Sequence, residues 1–305
     1  MLEASISTVV APASSHDLTT LAAVKAELAI PSTDTSNDSF LSPAITQSSA
    51  VIASYCGRIF QVEALQDLFY VRRGAFPWRP APQPDPLQLA RWPVTVVTSA
   101  VQTLSDGTTT TLVQGTDFTL DAARGWLYRL DSQGRISWSW EPQVLTVQYS
   151  AGYTKQIAGE AATVPSNPGP YTATVANASS FAVDLGVTYA SSGAALTKVS
   201  SAPAAGQYSV NTVTGVYTFA AADAGAAVKI GYSYAAIPDD VASAALRLVT
   251  SRYRSKGRDP ALRSEMLPQE GSRQWWVGPM PGQGGSPFPP DIEAILDPYR
   301  VPGVA

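Results

Sequence analysis

The stretch Ile237 to Leu267 reads IPDDVASAALRLVTSRYRSKGRDPALRSEML and constrains the fold more than any other part of the chain, because both ends of a helix are written into it. Val241, Ala244, Ala245, Leu248 and Val249 fall at i, i+3, i+4, i+7 and i+8, which gathers them on one apolar face that another element must cover. Pro238 suits a first helical turn, where no backbone N–H is missed, and Asp239 and Asp240 put negative charge at the positive end of the helix dipole. Arg252, Arg254, Lys256 and Arg258 lie in and just past the last turn, where cations meet unpaired carbonyls, and Gly257 and Pro260 stop the helix.

The cover for that face has to come from distant sequence. Asp17 is placed to cap a first helix through Leu18, Leu21, Val24 and Leu28, which Pro31 ends. A second helix starts at Asp38 or at the Ser42 and Pro43 pair. It carries Leu41, Ala44, Ile45, Ser48, Val51, Ile52, Tyr55, Cys56 and Ile59 along one side until Gly57 and Arg58 loosen its last turn. Neither is long enough to stay folded alone, so these two and the Val241 helix are expected to bury their stripes against one another.

Between them the character is extended. Prolines at 77, 80, 82, 84, 86 and 93 cannot supply ladder N–H groups, so Gly74 to Pro93 reads as a loop or arm. Val94 to Val101 is rich in β-branched residues, and Asp106 with Gly107 forms the turn pair of a tight hairpin before Thr109 to Val113. Phe118 to Leu120, Trp126 to Leu130 and the alternating Leu145, Val147 and Tyr149 complete a strand-rich sector. Trp138 and Trp140 share a strand face, either as an aromatic platform or, more economically, as core or subunit interface.

From Ile157 to Ala236 there is no Arg, Trp or Cys, and Ala, Ser, Thr, Val, Gly and Tyr dominate. Val183, Leu185, Val187 and Tyr189 alternate, Tyr217 and Phe219 follow a turn at Gly215, and Val228, Ile230, Tyr232 and Tyr234 line one face of a last strand. This segment reads as a small inserted β-sandwich, with Pro165, Pro168, Gly169 and Pro170 leading in and Ile237 with Pro238 leading out. Beyond the basic exit, Pro268 to Pro290 is broken by Pro and Gly around Trp275 and Trp276 and reads as an arm. Pro289, Pro290 and Asp291 then open a short helix presenting Ile292, Ile295 and Leu296 before Pro298 and Tyr299. That apolar hook either docks on a partner or folds back on its own subunit.

The expected architecture is therefore α+β: a small helical core with a strand-rich sector, an inserted all-β sandwich-like domain and an extended C-terminal arm. In residues, 1–156 form the first part of the main domain, 157–236 the insert, 237–267 the returning helix and 268–305 the arm with its hook.

Little in the chain supports catalysis. His16 is the only histidine and lies in a Ser-rich stretch beside the expected helix cap, so Ser-His-Asp or Cys-His chemistry has a single, solvated candidate base. No Cys and His spacing suits zinc, and no glycine-rich loop or dinucleotide fingerprint opens a helix, so neither metal nor cofactor is expected. Asp239 and Asp240 diverge by about 100° as consecutive helical residues and are better read as helix-start charges than as an acid pair. Asp117 and Asp121 suit turns and strand edges. Cys56, the only cysteine, sits among apolar residues and reads as a small core residue.

The charged fraction is 14%, well below the usual quarter, so either Ser, Thr and Gly replace charges on a β-rich exterior or neighbours cover much of it. A net charge of −4 argues against gripping the nucleic-acid backbone, which requires a local excess of cations. The run from Arg252 to Arg258 lacks the aromatic interleaving of a nucleic-acid patch. It reads instead as a cationic helix end, either solvated or paired with Asp259, Glu265 or a neighbour's acids. MLEASISTVVAPASS has neither the basic nor the apolar part of an export signal, and no apolar run is long enough for a bilayer. A cytoplasmic origin without membrane attachment is the expectation.

Four segments in order carry a resemblance. DLTTLAAVKAEL with a second helix ending YCGRIFQ is followed by RWPVTVVTSAV, GTDFTLDAARGWLYRL and VLTVQYSAGY, and then by the RSKGRDPALRSE helix exit and a closing DPYR. Together they resemble the head-to-tail connector, or adaptor, proteins of long-tailed bacteriophages, with Ile157 to Ala236 as an insertion. The resemblance implies a structural virion protein of the phage neck and no enzyme. Such a protein forms a ring of about a dozen subunits, a dodecamer, beneath the portal protein. DNA passes through the ring without sequence-specific binding, and a stopper or tail-completion protein binds the opposite face. By that resemblance Arg252, Arg254, Lys256, Arg258, Asp259, Trp275, Trp276, Ile292, Ile295, Leu296 and Tyr299 are the expected portal or subunit contacts. The Tyr-rich insert and the Trp residues leave a second reading open, a carbohydrate-binding or adhesion module.

Overall fold

Two compact units emerge, and each is built from two separate stretches of chain: Met1–Ala13 with Gln61–Ala236, and Ser14–Phe60 with Ile237–Ala305. The computed structural model describes residues 2–71, 86–136, 140, 144–256, 264–267, 271–274 and 288–301. The fold is α+β, with helices concentrated in the second unit and mainly antiparallel sheets in the first.

The first unit begins with β1 (Leu2–Ala11), β2 (Glu63–Val71), β3 (Leu87–Gln88), β4 (Val94–Thr103), β5 (Thr109–Thr111), β6 (Phe118–Asp121), β7 (Trp126–Arg129) and β8 (Val144–Ala151). Five of these form an antiparallel sheet in the order β1-β2-β8-β4-β5, and the other three form a small sheet, β3-β7-β6. Strand alternation sets the core: Leu65 and Phe69 of β2 and Leu145, Val147, Tyr149 and Ala151 of β8 turn to one face. There they pack with Leu87, Leu89, Phe118, Leu127 and Trp140. Asp106 and Gly107 make the expected hairpin between β4 and β5. Gly107 takes φ +86°, and the Asp106 carboxylate accepts from the Thr108 N–H at 2.8 Å.

Gly152, just past β8, takes φ +146°, and a Cβ there would lie 2.4 Å from the Gln61 carbonyl oxygen. Only glycine allows the chain to pass that close.

The same unit continues through β9 (Thr154–Thr163), β10 (Thr172–Thr174), β11 (Phe181–Tyr189), β12 (Thr197–Lys198), β13 (Gln207–Asn211), β14 (Val216–Phe219) and β15 (Ala227–Ala235). They form two sheets, β11-β15-β9 and β10-β14-β13-β12. Val187, Val228, Ile230 and Tyr232 from the first share one core with Tyr208, Tyr217 and Phe219 from the second. The alternation expected along Val183, Leu185, Val187 and Tyr189 is broken. Register shifts between Phe181 and Val183 and between Asp184 and Gly186 turn Leu185 outward, 49% exposed, while Asp184 is taken inside.

The second unit comprises α1 (Leu21–Glu27), α2 (Asp38–Cys56), α3 (Asp239–Arg254) and α4 (Pro290–Leu296), with a short antiparallel pair, β16 (Ser264–Leu267) and β17 (Gly271–Gln274). The stripes meet as their periodicity requires: Val24, Leu41, Ala44, Ile45 and Val249 form one cluster, with Leu21, Leu28, Phe40, Leu246 and Tyr253 packed on it. Burying each such aliphatic side chain contributes about 1.5–3 kcal/mol, which is what short helices need from tertiary packing.

One helix start differs from expectation, and the other takes the first of its two expected positions. α1 begins at Leu21, because Thr20 rather than Asp17 supplies the cap, its hydroxyl accepting from the Ala23 N–H at 3.2 Å. Leu18 is still buried, its N–H bound to the Ser49 hydroxyl at 2.9 Å. α2 begins at Asp38, so Pro43 lies inside it on the exposed side. Asp38 also pairs with the buried Lys25 at 2.6 Å, which joins α1 to the start of α2. Gly57 closes α2 in the left-handed conformation, φ +65°.

Arg258, Asp259, Trp138, residues 268–270, residues 275–287 with Trp275 and Trp276, and most of the proline-rich segment, residues 72–85, lie outside the described residues.

Candidate functional site

The last described stretch, residues 288–301, is seated within the second unit on the C-terminal end of α2 and the N-terminal part of α3. Pro290 starts α4 with its fixed φ, and the spacing of Ile292 and Leu296 turns both into the unit, where they are buried. Phe288 meets the Tyr55 ring edge-on at 5.1 Å, and Tyr299 meets Phe60 in the same way at 5.8 Å.

Polar groups fix the register. The Tyr55 hydroxyl is shared between the carboxylates of Asp297 at 2.8 Å and Glu293 at 3.2 Å. Tyr299 donates to Asp240 in the first turn of α3, and the Val301 N–H donates to the Cys56 carbonyl at 2.9 Å. The Arg300 guanidinium lies 4.8 Å from the centre of the Tyr55 ring. An exposed pair, Arg247 and Asp291 at 3.4 Å, adds little. Tyr55 is thus a hub for Phe288, Glu293, Asp297 and Arg300. Cys56 beside it is buried, and that desolvation pushes its thiol up to about 11, so it is a packing residue and a poor nucleophile.

The basic end of α3 lies along the first half of α2. Arg252 donates to the Gln47 side-chain carbonyl at 2.7 Å, while Lys256 donates to Asn37 Oδ1 at 3.5 Å and lies over the Phe40 ring at 5.1 Å. Phe40 in turn meets Tyr253 edge-on at 6.1 Å. Arg252, Arg254 and Lys256 are all exposed, and Ile295 and Tyr299 are half-buried. The structure therefore gathers Ile292, Leu296 and Tyr299 around the hook and Arg252 and Lys256 along α2, as two separate sets.

Carboxylates elsewhere hold structure. Asp117 accepts from the Val113 N–H at 2.9 Å and pairs with Arg129 at 3.4 Å, and Asp121 accepts from the Arg124 N–H at 3.3 Å. Asp131, in the same open hollow as Asp117 and Arg129, is held below the usual carboxylate range, chiefly by the Arg135 N–H. Among the described residues no group of three or more His, Cys, Asp or Glu side chains is placed to hold a metal ion. No described helix is long and apolar enough to cross a membrane.

Sequence reasoning missed a buried acidic pair in β2. Asp67 accepts from the Tyr149 hydroxyl at 2.8 Å and the Ala90 N–H at 2.7 Å, while Glu63 accepts from the Ala13 N–H at 3.1 Å and binds the Arg91 guanidinium. Burial, followed by the Asp67 charge, pushes the Tyr149 phenol far above its ordinary value. The signal was present: two carboxylates four residues apart on the inward face of a strand.

Four tyrosines of residues 157–236 donate to carboxylates. Tyr208 and Tyr217 both donate to Asp184, at 2.9 and 3.0 Å, and Lys198 pairs with the same carboxylate at 2.9 Å. Tyr232 donates to Glu160 at 2.5 Å and Tyr189 to Asp223 at 2.6 Å. Tyr208, Tyr217 and Tyr232 are buried and belong to the sandwich core, while Tyr171, Tyr189 and Tyr234 pack half-buried against it.

No known protein family and no curated protein sequence matches the chain. Two solved structures are similar in overall course. One, the neck of an empty gene transfer agent particle computed with C6 symmetry, has a TM-score of 0.43 and 12% identity over 98% of this chain and 97% of that one. The other, the virion of a native gene transfer agent particle, has a TM-score of 0.42 with the same identity and coverage.

Proposed function

We propose that this chain is a structural virion protein of a phage-type neck, an adaptor subunit whose ring joins head to tail and lets DNA pass. The observation that supports the reading is the meeting of the helical segments among those that carry the resemblance. DLTTLAAVKAEL, YCGRIF, the Val241 helix and the closing DPYR lie at opposite ends of the sequence, yet they form one helical unit whose hub is Tyr55. Parts of a resemblance that come together from distant sequence say more than one local motif does.

In this reading the portal protein meets the exposed positions of that unit. Arg252, Arg254, Lys256 and the outer sides of Ile295 and Tyr299 are the proposed contacts, together with Arg258, Asp259, Trp275 and Trp276, which lie outside the described residues, while Ile292 and Leu296 are buried in the unit itself. Many modest contacts around one symmetric partner give firm attachment through multivalency, without a large area per subunit. A stopper or tail-completion protein takes the opposite face, and residues 157–236 act as a projecting module. The protein has no catalytic role.

The test is negative-stain imaging of particles assembled with and without this protein. Filled heads that lack tails and leak DNA in its absence are the expected result. Normal necks and infectious particles without it would remove the proposal.

A further inference from the structure

Strand β1 forms one edge of the five-stranded sheet, and among the described residues it has β2 on one side and no strand on the other. Every residue from Ser5 to Ala11 is exposed, including Ile6 at 52% and Val10 at 60%. Soluble proteins guard such edges with lysine, proline, bulges or short strands, since unpaired N–H and C=O groups invite another strand. The opposite edge, β5, is guarded by its length of three residues. In β1 register shifts at Leu2/Ala4 and Val9/Ala11 bracket a ladder to β2 that is regular from Ala4 to Val9, and Ser5 to Ala11 contains neither a charge nor a proline.

We infer that β1 is the contact through which the free protein pairs with a second copy of itself, antiparallel, joining two sheets edge to edge about a two-fold axis at Ser7. This goes beyond the neck reading and does not depend on it.

The sequence of the strand favours its own copy. A two-fold axis perpendicular to the sheet keeps each side chain on its own face only when residues of equal parity stand opposite. Centring it on Ser7 sets Ile6 across from Thr8 of the second copy, twice, and Ser5 across from Val9. β-Branched pairs of this kind stabilise neighbouring strands. A charged residue in this strand would meet a like charge near the axis, and there is none between Ser5 and Ala11. Ile6 and Thr8 lie on the same face as Leu68 and Gln66 of β2, so the pairing continues an uncharged surface.

The contact is limited to one strand, which places it below the roughly 1,000 Å² total of a permanent interface and makes it reversible and concentration-dependent. An isologous contact also closes on itself. It is therefore the association of the unassembled chain, separate from any contact that runs around a ring.

Sedimentation equilibrium of the full chain over a wide concentration range tests this. The expected result is a monomer and dimer in exchange, with Ser7→Lys weakening the dimer at least about tenfold while circular dichroism and thermal unfolding stay unchanged. On a Ser7→Cys variant, a short bismaleimide reagent should trap a dimer, whereas Thr110→Cys on β5 should not be trapped; the native Cys56 is buried and does not compete. Hydrogen exchange on the unaltered chain, with β1 amides slowing as concentration rises, is the readout that needs no variant. A chain that stays monomeric throughout, a dimer indifferent to Ser7→Lys, or trapping through Thr110→Cys would each overturn the inference.

Discussion

Tyr299 donates its phenolic hydrogen to the Asp240 carboxylate, 2.7 Å from Oδ2 and 2.9 Å from Oδ1, and so ties the final described turn to the first turn of α3. Asp240 serves twice, as an acceptor for the hook and as a negative charge at the positive end of the helix.

Tyr299→Phe should keep the ring contact with Phe60 while losing this bond. Because Asp240 is exposed, the expected cost is about 1 kcal/mol. Hydrogen exchange should quicken in α4 first, and Tyr299→Ala should loosen it further.

Asp184 supports two buried phenols and one lysine. Asp184→Ala leaves both hydroxyls without an acceptor and should destabilise the sandwich of β9 to β15 by about 2–4 kcal/mol in chemical denaturation. Asp184→Asn, which retains an acceptor, should cost less.

Burial raises the Tyr149, Tyr208 and Tyr217 phenols above their ordinary value, reinforced in each case by the Asp67 or Asp184 carboxylate that accepts from them. A phenol that holds its proton more tightly when folded contributes stability that is complete below the unfolded value and lost as pH rises beyond it. Stability should hold to about pH 9 and decline above about pH 10. Thermal unfolding followed by phenolate absorbance measures it, with the native chain ionising late.

Cys56 should react with a thiol reagent at pH 8 roughly 100-fold more slowly in the folded chain than in denaturant, from its raised thiol value alone. Equal rates in the two states would contradict its place beneath the hook.

Gly152→Ala should disable the first unit. The added Cβ meets Gln61 and Val62 backbone atoms at 2.4 and 2.5 Å, contacts that no side-chain rotation relieves. A loss of more than about 3 kcal/mol, or failure to yield soluble protein, is expected.

The elements legible in the sequence were those with local signals. α3 is bounded by its own charges, α2 by Gly57, and the β4–β5 hairpin by Asp106 and Gly107. β1 was not legible, because Ser5 to Ala11 is exposed on both faces and carries no burial alternation. Its strand character comes from β2, more than fifty residues away in sequence. The site divides in the same way. Ile292 and Leu296 could be read from helical spacing, but Tyr55 and Asp297 are 242 residues apart and no periodicity links them. The inward turn of Asp184 depends on a register shift in β11, which obscured the alternation that would have predicted its neighbours.

Because the second unit takes its pieces from either side of residues 61–236, it cannot be completed until that whole stretch has been made. α1 and α2 leave the ribosome early and must wait for nearly the whole polypeptide before α3 and the terminal hook arrive to cover them. During that interval Leu41, Ile45 and Ile52 lack their native cover, and such uncovered apolar surface is where misassociation begins.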